Sequence, residues 1–144
     1  MLERRVRIRW RDVDAYGHVN NAVYLTYLEE ARDAWAKEVL GPAFDFVIVR
    51  IAIDYRSELS LEDQEVTVRC WGAGVGASSI RTNEQIVKPN GTVASESESV
   101  IVCHDPDARS AKQLGEDQRE LLRAAIAADA AVSPVARARS GDPT

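Results

Sequence analysis

RWRDVDAYGHVNNAVYLTYLEEAR, from Arg9 to Arg32, holds a strand end, a polar loop and the first turns of a long helix. Upstream of it, Val6, Ile8 and Trp10 alternate with Arg5, Arg7 and Arg9, the period of a half-buried strand that ends near Trp10. Arg11 to Asn21 has no period and carries Asp, Gly and Asn, the composition of an ordered loop. From Ala22 to Leu40 the residues Tyr24, Tyr27, Leu28, Ala31, Trp35 and Val39 fall on one helical face, with Thr26, Glu30, Asp33 and Lys37 opposite. This predicts an amphipathic helix of roughly five turns. Asn20 or Asn21 caps its start, and Gly41-Pro42 ends it, because proline cannot continue a helix and glycine accepts a left-handed exit.

Four β-rich runs follow. In the first, Phe46 to Arg56, Val47, Val49, Ile51, Ile53 and Tyr55 share a face and the run reads as a central strand. Gln64 to Gly72 turns Val66, Val68 and Cys70 inward, and the runs Ser78 to Lys88 and Thr92 to His104 are joined by Pro89-Asn90-Gly91, a tight-turn signature of an antiparallel hairpin. Ala111 to Asp129, with Leu114, Leu121, Leu122 and Ile126, reads as a short C-terminal helix. The expected organisation is one α+β domain over residues 1–129, one long helix packed on one sheet, followed by a flexible tail over 130–144.

A chain of 144 residues buries a core without disulfides or metals. Its two cysteines, Cys70 and Cys103, lie in strand-like runs and read as reduced, buried thiols. A formal net charge of -5 argues against sequence-independent nucleic-acid binding, which needs a basic surface. No apolar run reaches the ~18 residues of a membrane span and the opening residues lack a signal-peptide core, so a cytoplasmic protein without membrane partners is expected.

The loop before the helix concentrates the chemistry. Two carboxylates, a glycine, a histidine and two asparagines stand directly ahead of backbone N–H groups that have no intrahelical acceptor. Such donors hold an oxyanion, and a carboxylate beside them attacks a carbonyl or activates water, the requirements of acyl transfer. Asp14 is placed for that role. The same residues also serve as helix caps and Asx turns in many loops, so spacing alone leaves both readings open.

D-x-D-x-x-G-H-V-N-N-A-x-Y followed by E-x-A-R is present as Asp12, Asp14, Gly17, His18, Val19, Asn20, Asn21, Ala22, Tyr24, Glu29, Ala31 and Arg32. This resembles the hotdog-fold acyl-CoA thioesterases of the 4-hydroxybenzoyl-CoA thioesterase type. The resemblance implies an antiparallel sheet of about five strands wrapped around the long helix, and protomers joined sheet to sheet as a homodimer or homotetramer with sites between them. It implies hydrolysis of an acyl-CoA or acyl-carrier thioester, no cofactor and no metal. It maps the catalytic aspartate onto Asp14 and the oxyanion donor onto the backbone N–H near Asn21, with His18 as a further catalytic candidate ranked below Asp14. Tyr16 stands where the plant acyl-carrier-protein thioesterases have an asparagine, so a water held by that amide is not carried over.

Tyr16, Gly17, Tyr24 and Glu29 are candidates for substrate contact, as are Ser78 and Ser79, which the resemblance sets near the nucleotide-facing edge. Asp12 is read as a loop-ordering carboxylate. Gly72, Gly74 and Gly76 imitate a phosphate cradle but precede no helix, so a strand connection is the better reading. Two readings compete with hydrolysis. One is a non-catalytic acyl-thioester-binding module; the other is a hydratase, whose Asp and His spacing is missing.

Overall fold

The computed structural model of the chain describes residues 1–134. In order they form β1 (Leu2–Arg7), α1 (Asn21–Leu40), β2 (Phe46–Tyr55), β3 (Glu65–Val75), β4 (Ser79–Val87), β5 (Val93–Asp105), β6 (Ser110–Ala111) and α2 (Glu116–Val132), with single 3-10 turns at Trp10–Asp12 and Leu61–Asp63. The strands pair antiparallel in the order β1-β3-β4-β5-β2, and β6 adds to β5. No helix among the described residues is long and apolar enough to cross a membrane.

The long helix forms where its apolar spacing predicts. Tyr24, Tyr27, Leu28, Ala31 and Trp35 are buried against β1, β3 and β4, with Val66, Val68 and Cys70 of β3 facing them in the same core. Complete burial of a side chain such as Leu28 stabilises by about 1.5–3 kcal/mol. Asn20 caps the start, its side-chain oxygen accepting the Ala22 N–H at 2.9 Å, and Gly41 leaves the helix at φ +93°. Pro89-Asn90-Gly91 turns β4 into β5 as expected, with Gly91 at φ +89°. Cys70 and Cys103 are free and buried.

Three expectations are corrected. β1 stops at Arg7, and Trp10 lies in a 3-10 turn, 83% exposed, because the Asp12 carboxylate draws the Arg9 backbone N–H to 2.9 Å and bends the chain out of the strand. The Phe46–Tyr55 strand is an edge, not central: among the described residues its only strand neighbour is β5, and Val47, Ile48 and Val49 are exposed. Its single apolar face is also broken. A register shift between Ile48 and Arg50 inserts Val49 as an extra residue, so Phe46 and Ile48 share a face with Ile51 and Ile53, and Val47 turns away. The C-terminal helix begins at Glu116 rather than Ala111, leaving Leu114 buried ahead of it and Leu121 exposed. It runs past the expected boundary to Val132; residues 135–144 of the expected tail lie outside the described residues.

α2 docks through Asp129, which is buried and accepts from the Trp35 indole N–H at 3.0 Å, the Gly72 backbone N–H at 2.9 Å and the Met1 terminal ammonium. Gly72 permits this approach, since a Cβ there would stand 2.7 Å from Ile126 and 2.7 Å from the Trp35 ring. The polar loop is held by a second buried carboxylate. Asp12, 2% exposed, accepts from the Arg9 backbone N–H at 2.9 Å, the Arg9 guanidinium at 3.1 Å and the Tyr27 hydroxyl at 2.7 Å, while its carbonyl accepts the Asn20 N–H at 3.0 Å. Burial pushes the Asp12 carboxyl up, but the Arg9 backbone N–H, the Tyr27 hydroxyl and the Arg9 guanidinium together outweigh it and hold it below its ordinary 3.8.

Gly72→Ala should overpack the α1–α2–β3 junction and lower the unfolding free energy by about 1–3 kcal/mol in urea titrations. Asp12→Asn should cost about 1–3 kcal/mol at neutral pH through the hydrogen bonds it weakens. Because the folded state has the depressed value, this stabilisation is complete above 3.8 and is lost as pH falls through the lower folded value. The gap between wild type and Asp12→Asn should therefore close as unfolding is measured at successively lower pH.

Candidate active site

The loop between the first 3-10 turn and α1 closes on itself. Val13 and Val19 pair as an isolated antiparallel bridge, the Asp14 N–H bonds the His18 carbonyl at 2.8 Å, and the Gly17 N–H bonds the Asp14 carbonyl at 3.1 Å. Gly17 sits at φ +83°, a conformation that a Cβ strains. Inside this turn the Asp14 carboxylate is fixed through one oxygen: Oδ1 accepts the Tyr16 N–H at 2.9 Å and the His18 N–H at 3.3 Å. Oδ2 has no partner among the described residues. The side chain is half-buried, oriented by the turn and left with one oxygen free to act.

At Asn21 the helix begins, and its first amides are unequally satisfied. The Ala22 N–H is taken by the Asn20 side chain and the Val23 N–H bonds the Asn20 carbonyl at 2.9 Å. That leaves the Asn21 N–H without an acceptor among the described residues, at the positive end of a 20-residue helix. The Asn21 carbonyl in turn accepts the Tyr55 hydroxyl at 2.9 Å, which ties the helix start to the end of β2. Tyr24 packs edge-on against Tyr55 with ring centroids 4.9 Å apart and donates its hydroxyl to the Ser57 carbonyl at 3.1 Å. Burial pushes the Tyr24 hydroxyl up to about 12, so it stays a donor at neutral pH.

These groups border a cleft of about 240 Å³ lined by His18, Asn21, Tyr24, Tyr55, Arg56 and Glu58. His18 Nε2 stands 2.8 Å from Glu58 Oε2. Asp14 is not itself among the lining residues; it reaches the cleft's edge through His18, whose N–H it holds. A second cleft, about 280 Å³, lies between α1 and β2, lined by Leu25, Glu29, Arg32, Phe46, Ile48 and Ile51. Arg32, which lines it, is buried and joined at 2.9 Å to the buried Glu84. Burial pushes the Glu84 carboxyl up, against the pull of Arg32 and the hydroxyls of Ser99 and Ser97.

Of the residues singled out in the sequence, Asp14, Tyr16, Gly17 and His18 share one loop, and Asn21 and Tyr24 lie just beyond it. Tyr16 projects into solvent, 86% exposed. Glu29 is exposed on α1 and belongs to the second cleft. Ser78 and Ser79 are not brought to the loop. β1 ends where Arg7 pairs Glu65 at the start of β3, whereas Ser79 pairs Val102 beyond the far end of β3, and the Ser78 carbonyl holds the Cys103 N–H. Glu58 escaped sequence reasoning because it belongs to no periodic element and meets His18 only through the fold; the burial of Arg32, a motif residue, escaped because its helical position sits beside charged neighbours.

Comparison with known proteins agrees with this architecture. The family model of the thioesterase-like superfamily matches residues 8–133. The long-chain acyl-CoA thioesterase FadM of Escherichia coli (strain K12) is 31% identical over 129 residues, which cover 84% of this chain and 96% of FadM. A thioesterase from Thermus thermophilus, solved with coenzyme A and Zn, superposes with a TM-score of 0.75 at 36% identity, covering 87% of this chain and 94% of that one. The probable thioesterase YbaW from Escherichia coli superposes with a TM-score of 0.72 at 28% identity, over 88% of this chain and 99% of its own. With a sheet packed around one long helix and a family match across nearly all of the described residues, the chain belongs to the thioesterase-like superfamily and is a hotdog-fold thioesterase.

Proposed function

We propose that this enzyme hydrolyses an acyl-CoA or acyl-carrier thioester, with Asp14 supplying the carboxylate and the Asn21 backbone N–H stabilising the oxyanion. The observation that carries this reading is the placement, in one short segment, of a carboxylate with one oxygen unbound and a helix-start amide without an acceptor among the described residues. Asp14 acts as nucleophile, giving a mixed anhydride that water then opens, or as general base for water. On either route the carbonyl carbon gains an oxygen, the C–S bond breaks, and the leaving thiolate takes a proton. Charge grows on the carbonyl oxygen, and the Asn21 amide at the positive end of α1 is preorganised to receive it. His18, held by Glu58, lines the cleft beside this centre and serves to orient substrate, with Tyr16 and Gly17 shaping the rim.

A single copy leaves this site open, and a homo-oligomer completes it. β2 is an unpaired edge bearing exposed Val47, Ile48 and Val49, and an apolar, unpaired strand edge invites pairing with another strand. Two β2 edges paired antiparallel about a two-fold axis would set the Phe46 end of one against the Tyr55 end of the other. Since Phe46 pairs Cys103 and Ser78 holds Cys103, this arrangement carries Ser78 and Ser79 of a second copy toward the open cleft.

Asp14→Asn should lower turnover on CoA thioesters by at least ~100-fold in a free-thiol assay, with the thermal unfolding curve retained. Ligand binding without thiol release by the wild type would instead identify an acyl-thioester-binding module. Asn21→Pro removes one N–H at the first helical position, which proline tolerates, and should cost roughly 100- to 1000-fold in kcat if that amide is the oxyanion donor. Equal rates for wild type and Asn21→Pro would assign the oxyanion elsewhere. Val49→Lys, placing a charge on the β2 edge, should shift the mass seen by light scattering toward the monomer and reduce turnover with it.

A further inference from the structure

Resting on the reading of the chain as an acyl thioesterase, we propose that the α1–β2 cleft receives the acyl chain and that Arg32 donates a hydrogen bond to a neutral oxygen near that chain's far end. The substrate class is a medium-length acyl thioester carrying a hydroxyl or keto oxygen remote from the thioester, in preference to a plain alkyl chain.

The lane for such a chain is set by topology. α1 and β2 run antiparallel: the Tyr55 hydroxyl meets the Asn21 carbonyl at one end, and toward the other the cleft is lined along α1 by Leu25, Glu29 and Arg32 and along β2 by Ile51, Ile48 and Phe46. From Asn21 to Arg32 the helix rises about 16 Å at 1.5 Å per residue, less the reach of the arginine side chain back toward the helix N-terminus. An acetyl group or a single benzoyl ring is too short to span that distance.

At the end of the lane stands a cation with one arm unused. Arg32 is 3% exposed, its Nε donates to Glu84 at 2.9 Å and its Nη2 to the Ser99 hydroxyl at 3.2 Å. Nη1 has no acceptor among the described residues, and it is not one of the sealed-off polar atoms of the interior. Arg32 lines the cleft, so the cleft is where that nitrogen finds room. A donor facing the cleft is hydrated while the cleft is open, and a ligand that displaces that water without accepting from the donor leaves it unpaired, which a site discriminates against.

The charge balance selects the acceptor. Glu84 already neutralises Arg32, with the hydroxyls of Thr82 and Ser97 satisfying the same carboxylate. A second anion would therefore meet a compensated cation, and it would meet Glu29, which lines the same cleft one helical turn away. A neutral oxygen accepts from Nη1 without that penalty, and a hydroxyl can also donate to Glu29.

The test is kcat/KM of the full-length protein for dodecanoyl-CoA, ω-hydroxydodecanoyl-CoA, the CoA monothioester of dodecanedioic acid, and acetyl-CoA. The ω-hydroxy thioester should exceed the plain chain by at least about tenfold, the weight of one hydrogen bond to a charged donor, with the dicarboxylate and acetyl thioesters below both. In Arg32→Met/Glu84→Gln both charges leave together, so no lone ion remains buried, and the preference should fall to within about threefold. Arg32→Lys keeps the charge but loses the forked donor, and it should also reduce the ratio if the double variant does not fold. A plain chain hydrolysed as fast as its hydroxylated partner by the wild type overturns the assignment to Arg32 while leaving the thioesterase reading intact. Failure to hydrolyse all four thioesters counts against the thioesterase reading itself.

Discussion

The segment entering α1 is organised by one buried carboxylate, that of Asp12. Asp12 gathers the Arg9 amide, the Arg9 guanidinium and the Tyr27 hydroxyl, and its own carbonyl takes the Asn20 amide. Three pieces of chain that sterics alone would leave free are thereby fixed: the end of β1, the approach to the helix, and the second turn of α1 through Tyr27. Everything that makes the neighbouring loop a candidate site depends on it, since the position of the Asn21 amide relative to the Asp14 turn is set by where Asn20 is held. Buried charge is tolerated here because every lone pair used has a donor, and the donors outweigh the penalty of burial.

How much of this was legible in sequence depended on whether the information was local. The helix was readable because its face repeats every three or four residues and its ends carry Asn20 and Gly41, both of which the structure uses as caps. The loop was readable because its turn residues are contiguous. The place of β2 was not. A run of Phe, Val and Ile is equally the pattern of a strand covered on both faces and of an edge strand that presents apolar residues outward, and only the pairing order separates them. The bulge at Val49 was invisible for the same reason: an extra residue on one strand has meaning only against its partner.

The site divides along the same line. Asp14, His18 and Asn21 sit within eight residues and could be nominated together, whereas Glu58, in the loop after β2, joins the cleft through a contact with His18 that no spacing announces. Ser78 and Ser79 show the converse case, in which a position taken from resemblance lies away from the loop within one copy, at the other end of the sheet. Arg32 is the most instructive case. The motif names Arg32, but its charged neighbours Glu29, Glu30 and Asp33 do not announce that Glu84 on β4 draws it inside, because that pairing crosses the core.

Asp12 and Asp14 are two residues apart and chemically identical, and the fold holds them in different settings. Asp12 spends both oxygens on donors, one of them the Tyr27 hydroxyl, and is sealed from solvent. Asp14 is held through Oδ1 alone by two backbone amides of its own turn, which fix its direction without consuming its second oxygen. An exchange of roles would fail on geometry before electrostatics: the Asp12 carboxylate cannot turn toward a substrate without stripping Arg9 and Tyr27 of their acceptor. The different settings of the two acids follow from which donors lie nearby: the Arg9 amide and the Tyr27 hydroxyl for Asp12, the Tyr16 and His18 amides for Asp14.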